Sequence, residues 1–131
     1  MSDVFNHYKS FFLVGIGAAP GAILRMQLSI KCAQYKKFNL SGIQIVNTIA
    51  TFLLGVVLAI RGKLIIDSTT QQLYLLICVG FLGSFSSFSS LVYELYLYFV
   101  DNKYSELFIS ILCSIGLGMI AALIGYSLGS G

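Results

Sequence analysis

The chain has 131 residues, 57% of them hydrophobic and only 10% charged, with 8 basic against 5 acidic side chains. A soluble domain carries roughly 25% charged residues, so a water-borne enzyme is excluded, and the same hydrophobicity excludes a disordered chain. What is left is an all-α integral membrane protein of one domain, in which each crossing needs about 20 mostly apolar residues. Four segments meet that length, at about 10–30, 40–60, 71–100 and 107–129, within a single transmembrane domain over 1–131.

The first span runs uncharged from Ser10 to Leu24, passes Arg25 and continues through Met26–Ile30. Gly17 and Gly21, with Ala18 and Ala22 beside them, suit close helix contact, since helices in lipid associate through small residues. Met1–Lys9 carries Asp3 and a single Lys, a poor start for a cleaved signal peptide, so this helix is expected to be retained. Arg25 either snorkels to the interface or pairs with a carboxylate, because a charge at membrane depth is costly.

In the second span Asn47 is flanked by Ile45, Val46 and Ile49. Hydrocarbon cannot satisfy its two amide donors. It must bond another helix or face a wet path.

The third segment, Ser68–Val100, would be about 50 Å long as one continuous helix, against a hydrocarbon core of about 30 Å. Its middle reads Gly80-Phe-Leu-Gly83-Ser-Phe85-Ser-Ser87-Phe88-Ser-Ser. Glycine and serine at that density predict a break in the helix at membrane depth, tolerated only where the backbone is buried in protein or lines a wet cavity. A break frees carbonyl oxygens, which coordinate hard cations. Phe85 and Phe88 are three residues apart and share a face if the helix resumes, and the positive edge of a Phe ring can meet an anion. Glu94 is the one acid inside a span, readable as an interfacial carboxylate, a partner for Arg25, a proton carrier or a pore-mouth gate.

The fourth span places Ser110, Ser114, Gly118 and Ala122 on one stripe, with Gly125-x-x-x-Gly129 beyond. The two hydroxyls either bond back to their own helix or line a pore wall. Lys9, Arg61 and Lys63 fall at one membrane face; Lys31, Lys36, Lys37 and Lys103 fall at the other, with Arg25 nearby. So even a distribution sets little orientation bias, and insertion both ways round would make an antiparallel dimer available. Dispersed basic residues at helix ends fit lipid headgroups rather than nucleic acid. Cys32, Cys78, Cys113 and the lone His7 lie far apart and predict neither a disulfide framework nor a transition-metal site.

Taken together, these motifs resemble the CrcB/Fluc fluoride channels along nearly the whole chain. The matching stretches are Gly17-Ala-Ala-Pro-Gly21-Ala-Ile-Leu-Arg25, Asn47 with Gly55, and Gly80 through Leu91. Ser86, Ser87 and Ser90 stand where that family has threonines and keep the hydroxyls, whereas Ile43 stands where a threonine is common. The resemblance implies a passive channel in the cell membrane that exports fluoride from the cytoplasm, with no enzymatic activity and no organic cofactor. It implies an antiparallel dual-topology homodimer with two pores, or a pairing with a paralogue. A structural Na⁺ would be held by the backbone carbonyls of Gly80 and Gly83. The implied pore residues are Asn47, Phe85, Phe88, Ser87, Ser110 and Ser114, supported by Arg25 and Glu94. The competing expectation is a proton-coupled transporter of the small multidrug-resistance type, for which Glu94 would be the sole proton carrier.

Overall fold

The computed structural model describes residues 2–34, 41–64 and 67–131, with side chains omitted for 2–5 and 33. Lys36 and Lys37, part of the positive charge expected at one membrane face, lie outside the described residues, as does Leu40. The fold is all-helical. In chain order it runs α1 (Ser2–Gln34), α2 (Gly42–Lys63), α3 (Ser68–Tyr74), a π-helical stretch (Leu75–Leu82), α4 (Gly83–Phe85), α5 (Phe88–Val100) and α6 (Tyr104–Ser130). Among the described residues, four helical segments are long and apolar enough to cross a membrane: Asn6–Cys32, Gly42–Lys63, Ser68–Val100 and Tyr104–Ser130.

Local chemistry sets the helix ends. Ser41 opens α2 with a capping box: its hydroxyl accepts the Gln44 backbone N–H at 3.2 Å, and Gln44 Oε1 accepts the Ser41 N–H at 3.2 Å. Asp67 caps α3 by accepting the Ser68 N–H at 2.9 Å. Helix α5 ends in a Schellman arrangement, in which Lys103 N–H bonds Tyr98 O and Asn102 N–H bonds Phe99 O. That geometry needs a residue at positive φ, and Asn102 supplies it at 57°. The short turn brings Phe99 edge-on to Tyr104 and sends α6 back across.

The helices associate as two tight pairs. In the first, α2 lies against α6 at Gly55, Gly125 and Gly129. A Cβ on Gly55 would collide with the Ala122 carbonyl, and one on Gly125 with the Phe52 carbonyl. In the second, α1 lies against the π-helical stretch and α4. Here Gly17 meets the Leu76 carbonyl, Gly21 the Phe81 carbonyl and Gly80 the Val14 carbonyl. This is the close backbone approach that small residues permit in lipid. The Ser84 hydroxyl ties this pair further by donating to Ala18 O at 2.8 Å. At the end of α2 the Arg61 guanidinium lies 3.9 Å over the Tyr74 ring, joining α2 to α3. Pro20 sits inside α1 without ending it, as transmembrane helices allow when neighbours re-satisfy the freed groups.

Within Ser68–Val100 the backbone pattern changes repeatedly. Helical bonding widens to the π form at Leu75–Leu82, returns to α for Gly83–Phe85, and stops. Ser86 (φ −75°, ψ 149°) and Ser87 (φ −144°, ψ 108°) are extended before α5 begins. The small buried core sits beside this stop and comprises Val46, Ala50 and Phe85, with Leu28 packed on it.

Candidate functional site

The stop after Phe85 is held by Asn47. Its Oδ1 accepts the Ser87 N–H at 2.8 Å and its Nδ2 donates to Ser87 O at 3.2 Å. Of the two roles open to Asn47 in the sequence, the chain realises the bond to another segment, and one amide hydrogen is left over. In an unbroken α-helix the Ser87 N–H would bond Gly83 O, four residues back. Here Asn47 takes it. Ser87 in turn caps α5: its hydroxyl accepts the Ser90 N–H and meets the Ser90 hydroxyl at 2.8 Å.

Beside this knot lies a cleft of about 430 Å³, whose polar lining comes from Arg25, Ser29, Asn47, Ser87 and Ser90. Arg25 supplies the cleft with a cation. The pairing of Arg25 with Glu94 is not formed among the described residues, since Glu94 Oε1 takes the Tyr98 hydroxyl at 3.4 Å and buried Oε2 has no hydrogen-bond partner.

The expectation that Phe85 and Phe88 share a face is not met within the chain. Phe85 is 2% exposed and Phe88 is 78% exposed. The two extended residues between them destroy the helical phase that a three-residue spacing presumes. Phe85 stacks on Phe81, with centroids 5.8 Å apart and planes 5° from parallel. Stacking covers a ring face and leaves the positive edge for other neighbours.

Ser110 and Ser114 form a second polar group, and the residue that organises it is one the sequence reading passed over. Gln44, 4% exposed, donates through Nε2 to Ser110 Oγ at 2.6 Å, Ser110 O at 3.1 Å and Ser114 Oγ at 3.2 Å. Two signals were available: the Ser41-x-x-Gln44 capping box, and an amide inside an apolar span, which must find partners. Gln44 and Asn47 are one turn apart on adjacent stripes of α2. Gln44 turns to α6 and Asn47 to the start of α5, so the expected pore residues fall into two groups with no hydrogen bond between them among the described residues.

The two glycines assigned to a cation differ in setting. Gly83 is exposed, with only the Cys78 carbonyl oxygen 3.8 Å from where a Cβ would sit, and its carbonyl lacks the Ser87 N–H; it fits an oxygen ligand. Gly80 is buried against α1, and its carbonyl accepts the Gly83 N–H, leaving one lone pair.

Comparison with known proteins bears on this arrangement. The family model described as CrcB-like protein, Camphor Resistance (CrcB), matches residues 12–126. The chain is 51% identical over 125 residues to the fluoride-specific ion channel FluC 2 of Prochlorococcus marinus strain SARG, covering 95% of each chain. It is 37% identical over 131 residues to FluC 1 of Prochlorococcus marinus strain MIT 9313, covering the whole of both. It is 32% identical over 120 residues to the FluC of Ignicoccus hospitalis, covering 92% of this chain and 94% of the relative. These relatives are named as ion channels, not as enzymes. Matched over most of its length and built from four helices able to cross a membrane, the chain is a multi-pass membrane protein of the CrcB family.

Proposed function

We propose that this protein is a passive, fluoride-selective channel that lets F⁻ leave the cytoplasm. The observation that carries the reading is the Asn47–Ser87 knot opening onto a cleft whose largely apolar wall carries a few neutral polar groups and one cation, Arg25. Fluoride enters acidic surroundings as neutral HF and dissociates inside, so a leak for the anion alone prevents accumulation. Fluoride is small and strongly hydrated. Neutral hydrogen-bond donors in a narrow path replace its water, whereas a larger anion is stripped there without equal compensation. The spare Asn47 amide hydrogen, the hydroxyls of Ser110 and Ser114, and the ring edges of Phe85 and Phe88 provide that path, beside Ser87, whose own hydroxyl donates to Ser90 Oγ. None of them carries a full charge that would hold the ion. Arg25 gathers anions at the cleft, and Glu94, midway along α5, acts as a gate.

The stop at Ser86–Ser87 lies at membrane depth, and two copies inserted in opposite orientations complete two pores. Support comes from the exposure of Phe88 and Gly83 in the single chain and from the even spread of basic residues. A Na⁺ at the dimer centre would be held by the Gly83 carbonyls, with those of Gly80 behind them, and would supply positive charge between the broken helices. The names of the relatives, all fluoride-specific ion channels, point the same way. A proton-coupled transporter would rest on Glu94 alone, and proton-driven efflux of a lipophilic cation would reveal it. The channel reading is tested by loading liposomes containing the purified protein with potassium fluoride and following release with a fluoride electrode. Rapid release that a Phe85→Ala variant slows is expected; release no faster than from empty liposomes would end the reading.

A further inference from the structure

Gln44 is not among the pore residues expected from the sequence, yet among the described residues it is the most deeply buried amide of the polar network. Its orientation is fixed. Oε1 accepts the backbone N–H of Ser41, which only the oxygen end of the amide can do. The NH₂ end therefore faces α6, and there it donates to the hydroxyl oxygens of both Ser110 and Ser114.

Other hydroxyls of these helices behave differently. Ser10, Thr48 and Ser127 each donate to the carbonyl four residues back, and Thr51 donates to Asn47 O and Thr48 O. Ser110 and Ser114 make no such bond among the described residues. A hydroxyl has one hydrogen and two lone pairs. Where a lone pair is taken by an amide donor and the hydrogen is not returned to the helix, the hydrogen is free to point away. Two such hydroxyls one turn apart make a track of donors, which suits an anion and repels a cation.

We propose that Gln44 is a positioning residue for anion passage. Its amide, anchored on Ser41, holds the Ser110 and Ser114 hydroxyls as acceptors on the α2 side and so presents their hydrogens to the permeating ion. The inference rests on the channel reading and deepens it. Without the amide, the Ser110 hydroxyl falls back on Glu106 O and the Ser114 hydroxyl on Ser110 O, the usual bond of a serine within a helix. The serines would remain, but their hydrogens would be spent.

The test is a fluoride-efflux cycle in liposomes with Gln44→Met, the Ser110→Ala/Ser114→Ala pair, and all three changes together. Gln44→Met and the serine pair should each slow efflux about tenfold, the scale of one lost hydrogen bond. The triple variant should be no slower than the serine pair, because Gln44 acts only through those hydroxyls. Gln44→Glu keeps the size of the side chain but replaces donors with acceptors, and should slow efflux at least as much as Gln44→Met. If Gln44→Met does not elute from a sizing column as the parent does, the Gln44→Glu result decides. Parent-like efflux from either variant, or losses that multiply in the triple variant, would overturn the proposal. A parent protein that releases no fluoride would instead end the channel reading, and this role with it.

Discussion

At the scale of single residues, Asn47 carries both structure and proposed conduction, and the two can be separated. Replacing it with Leu leaves the buried Ser87 N–H and C=O without partners. An unpaired buried group costs about 1–3 kcal/mol, so Asn47→Leu should lower the unfolding midpoint in detergent as well as abolish flux. Asn47→Asp keeps an acceptor for the Ser87 N–H but has no donor left for the ion. It should hold more of the parent's thermal stability and still lose fluoride efflux; efflux at the parent rate would show that the amide hydrogens play no part. Phe85→Ala removes a buried ring stacked on Phe81 and should cost about 3–5 kcal/mol if the cavity does not collapse. Its effect on flux must therefore be read only on protein that elutes as the parent does.

At the scale of elements, the two helix pairs depend on glycines whose neighbours are backbone rather than side chain. A Cβ on Gly125 would collide with the Phe52 carbonyl, whereas one on Gly62 meets nothing within 4 Å. Gly125→Ala should therefore destabilise the protein by about 1–3 kcal/mol, the range for overpacking. Gly62→Ala should be neutral or slightly stabilising; thermal unfolding of the two variants side by side checks the contrast. This level was the most readable in the sequence. The small-residue spacings of α1 and α6 pointed to close contacts because lipid offers helices little else to pack with. The contact partners were not readable: that Gly17 meets Leu76 and Gly125 meets Phe52 depends on which helices pair, and a repeating spacing is silent on that. The stop at Ser86–Ser87 fell inside the Gly/Ser-rich segment, but the preceding π-helical stretch left no mark in composition. The shared face expected of Phe85 and Phe88 presumed a helix that the extended pair interrupts. Gln44 was legible by the same rule that marks Asn47, an amide inside an apolar run, and by its spacing after Ser41.

At the scale of the whole molecule, the exposed Phe88 and Gly83 beside the stop leave the single chain with an unfinished surface. The proposed antiparallel partner finishes it. A single cysteine placed at Asp101, in a background with Cys32, Cys78 and Cys113 replaced by Ala, should be labelled by a membrane-impermeant maleimide from both sides of the membrane in similar amounts. Labelling from one side alone would contradict dual insertion while leaving four crossings intact. The central claim, that the neutral donors and ring edges select one small anion, is tested most directly by measuring fluoride and chloride release from the same protein-containing liposomes. The account predicts fast fluoride release with chloride held back; release of both ions at similar rates would contradict it.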